Sequence, residues 1–189
     1  MALPLLTFAA ILGAAVALAP AAEAVSVPTF RSIHLRGGGD LVLRRGPAQR
    51  VTLVAGCTAY TGFRVTPNGE LRIKACNGRC PRRYRLMIEI QSPSVPDVAV
   101  SKGGRIVADR GFPAQRQISA VLHGGGQIDT RAVPARDVSA ALSGGGQILV
   151  WAEQSLNAAV SGGGHIGYRG KPVVTTAIQG SGVVAAQDR

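Results

Sequence analysis

Between Leu71 and Leu86 the chain carries six positive residues and no acid: Arg72, Lys74, Arg79, Arg82, Arg83 and Arg85. Such a run suits phosphate, sulfate or carboxylate groups, because the planar guanidinium fork grips two oxygens at once. The alternation of Leu71, Ile73 and Ala75 with Arg72 and Lys74 turns those two bases to the outward face of a strand. Leu86, Ile88 and Ile90 do the same for Arg83 and Arg85. If the two strands pair, four cations converge on one patch, with Arg79 and Arg82 at its rim. The competing reading is a solvated strand face.

Other chemistry-bearing residues are sparse. The three cysteines, Cys57, Cys76 and Cys80, all lie in the first half of the chain. In an oxidising compartment three thiols give one disulfide and one free thiol. Closure of Cys76 on Cys80 and pairing of Cys57 with either are all open. Cys-x₃-Cys is neither a thioredoxin nor a four-ligand zinc spacing, so no metal and no cofactor is expected. His34, His123 and His165 occupy different places relative to the glycine runs of the chain. Catalysis on polysaccharides, as a lyase or hydrolase, needs carboxylates at a set separation or a positioned base. After residue 24 there are nine acids, and the repeats stack no two of them. Ser119, Ser139 and Ser161 have no base assigned to them by the pattern, so the chain reads as a non-enzyme.

Charge points the same way as the basic run. Residues 2–22 hold no charge, Leu3 to Ala19 are apolar, and Ala22-Glu23-Ala24 fits a small-x-small cleavage site. Residues 1–24 therefore read as a secretory leader cut after Ala24, which places the protein in the periplasm or outside the cell. The mature chain from Val25 has 21 bases against 9 acids, the ten of the full sequence less Glu23, or +12. A field of that sign favours acidic partners. Export argues against nucleic acid as the physiological ligand and for anionic polysaccharide, lipopolysaccharide or lipid head groups.

The elements that must carry these residues announce themselves by repetition. Leu122-His-Gly-Gly-Gly-Gln-Ile128 returns as Leu142-Ser-Gly-Gly-Gly-Gln-Ile148 and Val160-Ser-Gly-Gly-Gly-His-Ile166. Weaker copies run from Val100 to Ile106 and from Ile178 to Val184. A period near 20 is the mark of stacked coils. Before each glycine run lies an alternating phrase, such as Ile118-Ser-Ala-Val-Leu122, with its polar residue facing out. Stacked in register, these phrases make parallel strands with Ile106, Ile128, Ile148, Ile166 and Val184 as an inner ladder. The glycines suit a sharp corner that needs positive φ. Pro67-Asn68-Gly69-Glu70 reads as a type I′ hairpin. Residues 25–92 read as an irregular β-rich cap continuous with coils over 93–189. Only Ala185 to Arg189 come after the last copy, with Gln187-Asp188-Arg189 as the polar end, so the final coil is expected to be an association surface, in a homo-oligomer or with another partner.

The order of these phrases is itself informative. Phe30-Arg-Ser-Ile-His-Leu35 precedes Gly37-Gly-Gly-Asp40; Val51-Thr-Leu-Val54, Asn68-Gly-Glu-Leu-Arg-Ile73, a linker at Pro93 and the repeated Ser-Gly-Gly-Gly-x-Ile come next. Over nearly all of the chain after the leader, this resembles the bacterial family known as the putative auto-transporter adhesin head, or GIN domain. The resemblance implies an all-β, right-handed parallel β-helix in an exported, adhesin-like binding or scaffolding protein. It supplies no catalytic residue.

Overall fold

In the computed structural model the described residues are 22–187, so most of the leader assigned to residues 1–24 lies outside them. The described chain is all β, with fifteen strands and no helix. In chain order they are β1 (Glu23–Val25), β2 (Ser32–Arg36), β3 (Asp40–Arg45), β4 (Arg50–Ala55), β5 (Gly62–Val65), β6 (Glu70–Lys74), β7 (Met87–Ser92) and β8 (Asp97–Ser101). There follow β9 (Arg105–Ala108), β10 (Gln115–His123), β11 (Gln127–Ser143), β12 (Gln147–Ser161), β13 (His165–Arg169), β14 (Val173–Gln179) and β15 (Val183–Ala186).

All fifteen belong to one mixed sheet, which curls strongly around a single buried cluster. The glycine runs divide it into two limbs. One limb runs β1, β4, β7, β3, β9, the first part of β11, the first part of β12, β13, β15. The other runs β5, β6, β2, β8, β10, the last part of β11, the last part of β12, β14. Only the contacts of β1, β4 and β5 are antiparallel.

Alternation explains the core. Ile106, Ile128, Ile148 and Ile166 sit in register on the first limb and are fully buried. Leu41 and Ile88 extend the ladder at one end. Val184 extends it at the other but is only half-buried, because no described strand lies beyond it. On the second limb Leu122, Leu142 and Val160 align in the same way, with Ala120, Ala140 and Ala158 beside them. Alanine at the middle of each phrase keeps the two limbs close.

The three glycines of a run serve different ends. Gly144 has φ 119°, as the corner requires. Gly146 does not have positive φ; a Cβ there would stand 2.8 Å from the carbonyl oxygen of Gly126 and closer still to Leu122 of the preceding repeat. It is glycine so that a leucine can lie across it. Gly145, between them, faces open space.

Three expectations need correction. Residues 25–92 are more regular than a cap: β2–β3 and β6–β7 are each a two-limb repeat in parallel register with the rest. Their spatial order is reversed, since β6–β7 lie outside β2–β3 and the chain then crosses back to β8–β9. The turn between β5 and β6 has positive φ at Gly69 alone, with Gly69 N–H bonded to Thr66 O at 2.9 Å. It is therefore a type I turn closed by a left-handed glycine, not type I′. The strands carrying the basic run do not pair either. β6 lies between β2 and β5, whereas Arg83 and Arg85 sit in the loop before β7, which lies between β3 and β4 on the other limb. Four-way convergence of Arg72, Lys74, Arg83 and Arg85 is thus not formed.

Among the cysteines, Cys76 and Cys80 are joined, with Cα atoms 6.1 Å apart, and Cys57 is a half-buried free thiol.

Candidate functional site

Arg72 and Lys74 project from β6 as the alternation requires, both exposed, with Leu71 and Ile73 buried beneath them. What surrounds them comes from strands distant in sequence. In the cross-strand register Arg72 lies between Arg64 of β5 and His34 of β2, and Lys74 between Gly62 and Arg36. Arg36, Arg64, Arg72 and Lys74 thus occupy one outer face at adjacent ladder positions, where side chains stand about 5 Å apart. They line a cleft of about 550 Å³ floored by Phe63 and bordered by Asn77 of the disulfide loop. Gly62 leaves the room: a Cβ there would meet the Asn77 amide at 2.5 Å.

Among the described residues a single carboxylate enters this field. Arg72 Nε donates to Glu70 Oε2 at 2.8 Å, and the other oxygen of Glu70 lies 3.3 Å from His34 Nδ1. His34 Nε2 in turn is 2.8 Å from Ser101 Oγ. Ser101 is in register with Arg36 and is followed by Lys102, whose φ is 59°. Serine, imidazole and carboxylate are therefore connected in the order that activates a nucleophile. The same bonds also hold the His34 ring, which lines the cleft, between Ser101 and Glu70.

The remaining predicted residues are dispersed. Arg79 is exposed within the loop closed by Cys76 and Cys80, next but one to Asn77. Arg82 and Arg83 are exposed in the loop that leads to β7. Arg85 lines a separate depression with Asp40 and Arg105. Sequence reading therefore found two of the four cleft cations and missed Arg36, Arg64 and His34. For Arg36 a signal existed: Leu35-Arg36-Gly-Gly-Gly aligns with Val100-Ser101 and Leu122-His123 in the repeat phrase. Arg64 and His34 had none, since nothing local shows that β5, β6 and β2 become neighbours in that order.

Beyond the cleft the same outer face continues as Ala99, Val121, Ala141, Ala159 and Ala177, one residue per strand. It is flanked by Ser101, His123, Ser143, Ser161 and Gln179. Histidine thus falls in the serine row, as the repeat alignment requires, and His165 falls in line with Gln127 and Gln147. Among the described residues no group of His, Cys, Asp or Glu is arranged to hold a metal ion.

Comparison with known proteins bears on the repeats first. Residues 114–172 match the family model described as "Putative auto-transporter adhesin, head GIN domain", a narrower span than the phrases alone suggested. No curated protein matches the chain. The solved structure of a putative adhesin from Bacteroides fragilis aligns over 88% of this chain and 96% of its own, at 17% identity and TM-score 0.55. A putative adhesin from Parabacteroides distasonis covers 88% and 96%, at 16% identity and TM-score 0.43. A putative lipid binding protein from the same species covers 89% and 96%, at 16% identity and TM-score 0.36. The first of these extends the likeness of fold well beyond the matched repeats.

Proposed function

We propose that the protein, whose residues 114–172 match the putative auto-transporter adhesin head GIN domain family, is an exported, adhesin-like binding module that takes anionic groups in the cleft between β2, β5 and β6. The leader, cut after Ala24, delivers it to the periplasm or the cell exterior. The repeats wind as a right-handed parallel β-helix, a reading supported by the parallel register of the two limbs. The rod is the scaffold and the cleft is the contact.

One observation carries the proposal: Arg36, Arg64, Arg72 and Lys74 crowd a single outer face against one carboxylate. Like charges directly opposite one another destabilise a sheet. An arrangement that keeps four of them together is relieved by an anion. Phosphate, sulfate or carboxylate of a surface polysaccharide, lipopolysaccharide or lipid head group meets that need, and Arg79 reaches the same ligand from the rim. This role needs no cofactor and no catalysis.

The test is binding of the mature protein to a sulfated octasaccharide and to vesicles with and without anionic lipid, at rising salt. Binding should weaken steeply with salt. Arg72→Ser with Lys74→Ser should lower affinity at least about tenfold, since a hydrogen bond to a charged group contributes roughly 1.5–3 kcal/mol. Thermal stability should move little, as both side chains are exposed. Arg83→Ser with Arg85→Ser should leave binding intact. Unchanged binding in the first pair defeats the proposal.

A second reading has its own observation, the row Ser101–His34–Glu70. It would make the cleft a site of acyl transfer from an anionic ester, in place of polysaccharide cleavage. Labelling of Ser101 by a fluorophosphonate, abolished by His34→Gln, would establish that reading; an unlabelled protein removes it.

A further inference from the structure

We propose that two copies of this protein join through their last repeats, β14 against β14 across a two-fold axis, into a closed dimer with its two basic clefts at opposite ends. The ends of the curled sheet are unlike each other. At one end the mature chain, which keeps only Val25 of β1, has as its edges β4, of six residues, and β5, of four, both antiparallel to their inner neighbours. Edges that carry a charge, Arg50 on β4 and Arg64 on the short β5, resist the addition of a strand. At the other end the edge is β14, seven residues reading Val-Val-Thr-Thr-Ala-Ile-Gln, with β15 beside it on the other limb. β14 has no charge and no proline, and five of its residues are β-branched. That is the composition of a strand that will pair with another.

Its exposure says how much cover is missing. Leu156 and Val160 of β12 are buried at 0% and 2%, whereas their ladder neighbours on β14 are Val174, half-buried, and Ile178, 46% exposed. Val173 and Val183 are 77% and 49% exposed. Three of the four exposed large apolar side chains among the described residues thus lie on these two strands. The uncovered ladder positions need a surface like the next repeat.

A second copy supplies it because β14 is complementary to itself. Two copies related by a two-fold axis through Thr176 run antiparallel. Val174 then stands opposite Ile178 of the second copy, and both face the side that the core occupies. The axis is normal to the sheet, so inner face continues as inner face. Because the other end is blunted, the same contact cannot propagate into a filament, and assembly stops at two. From β6 to β14 there are six strand steps, roughly 29 Å at about 4.8 Å each, so the two clefts of the dimer lie on the order of 60 Å apart. Given the anion-binding role proposed above, that geometry makes the dimer bivalent toward a surface dense in anionic groups.

Sedimentation of the mature protein over a wide concentration range tests the contact. A monomer–dimer equilibrium is expected, with nothing larger. Thr176→Lys places two cations on the axis and should give a monomer. Val173→Lys, at a side chain already exposed, should do the same, with circular dichroism showing both variants folded. In a Cys57→Ser background, Thr176→Cys should cross-link to itself on oxidation, while Asn157→Cys, one repeat back, should not. A wild-type monomer at every concentration, growth into polymers, or a dimer that survives both lysine variants overturns the proposal. Failure of the cleft is distinguishable. Arg72→Ser with Lys74→Ser should still dimerise, whereas Thr176→Lys should bind the free octasaccharide like wild type yet lose at least about a hundredfold in apparent affinity on a dense anionic surface.

Discussion

Asp129 and Arg131 show what a single side chain contributes outside the cleft. They stand on the outer face of the first limb on either side of Thr130, which points inward and is buried. Burial pushes the Asp129 carboxyl up, but Arg131 outweighs it, with Nε at 3.1 Å, Nη2 at 2.8 Å and its backbone N–H at 3.1 Å, so the pKa lies below its ordinary value. A carboxylate depressed in the folded state stabilises above its unfolded pKa, about 3.9, and ceases to do so as pH falls through the lower folded value. Asp129→Asn should therefore cost on the order of 1 kcal/mol at neutral pH, given partial exposure of the pair. The gap between variant and wild type should close in acid, below about pH 4. Denaturant titrations at pH 7 and in strong acid check this. A gap independent of pH would mean the carboxylate contributes by shape alone. Arg131 and Asp129 also illustrate what the sequence hides: their i, i+2 spacing puts them on one face, but the bidentate contact depends on rotamers that no period reveals. The cleft has the same character. Arg72 and Lys74 were legible from local alternation, whereas Arg64 and His34 became their neighbours only through pairing.

At the scale of the element, the glycine run was legible as a corner, yet its three positions were read as equivalent. The structure separates them. Gly144→Ala meets a φ of 119° and a carbonyl at 2.8 Å, and Gly146→Ala collides with Leu122. Each should cost about 1–3 kcal/mol. Gly145→Ala meets nothing within 4 Å and should be neutral or stabilise by roughly 0.4–1 kcal/mol through the unfolded chain. Ser181 already stands at that middle position in the last repeat. Thermal melts of the three variants give the order directly; equal losses at all three would show the corner to be uniform. The reason the distinction was invisible is that φ is a property of one residue, whereas the need at Gly146 comes from the repeat stacked against it.

For the whole molecule, period and alternation sufficed to place the inner ladder from Ile106 to Ile166 and to orient the polar rows. They did not order the first two repeats. Leu41 and Ile88 are interchangeable as buried aliphatics, so exchanging β3 with β7 leaves the apolar pattern intact, and only chain crossing decides between the two arrangements. The self-complementary sequence of β14 acquires meaning only once Val174, Thr176 and Ile178 are known to share a face.

The parallel register has a mechanical corollary. Ile118, Val138, Leu156 and Val174 are ladder neighbours 20, 18 and 18 residues apart. A tether pulled from the two termini loads the interstrand bonds one repeat at a time, beginning at the weakly covered last strand, much as tape is peeled. Each rupture frees one period of chain. At up to about 3.3–3.6 Å per residue, that is a gain in contour length of roughly 60–70 Å. Force spectroscopy of a single monomeric molecule should show a staircase of steps near that size until the blunted end is reached. One abrupt extension would instead show that the stack yields as a block. Under the binding role proposed above, a stack that fails in instalments dissipates load while the cleft keeps its hold.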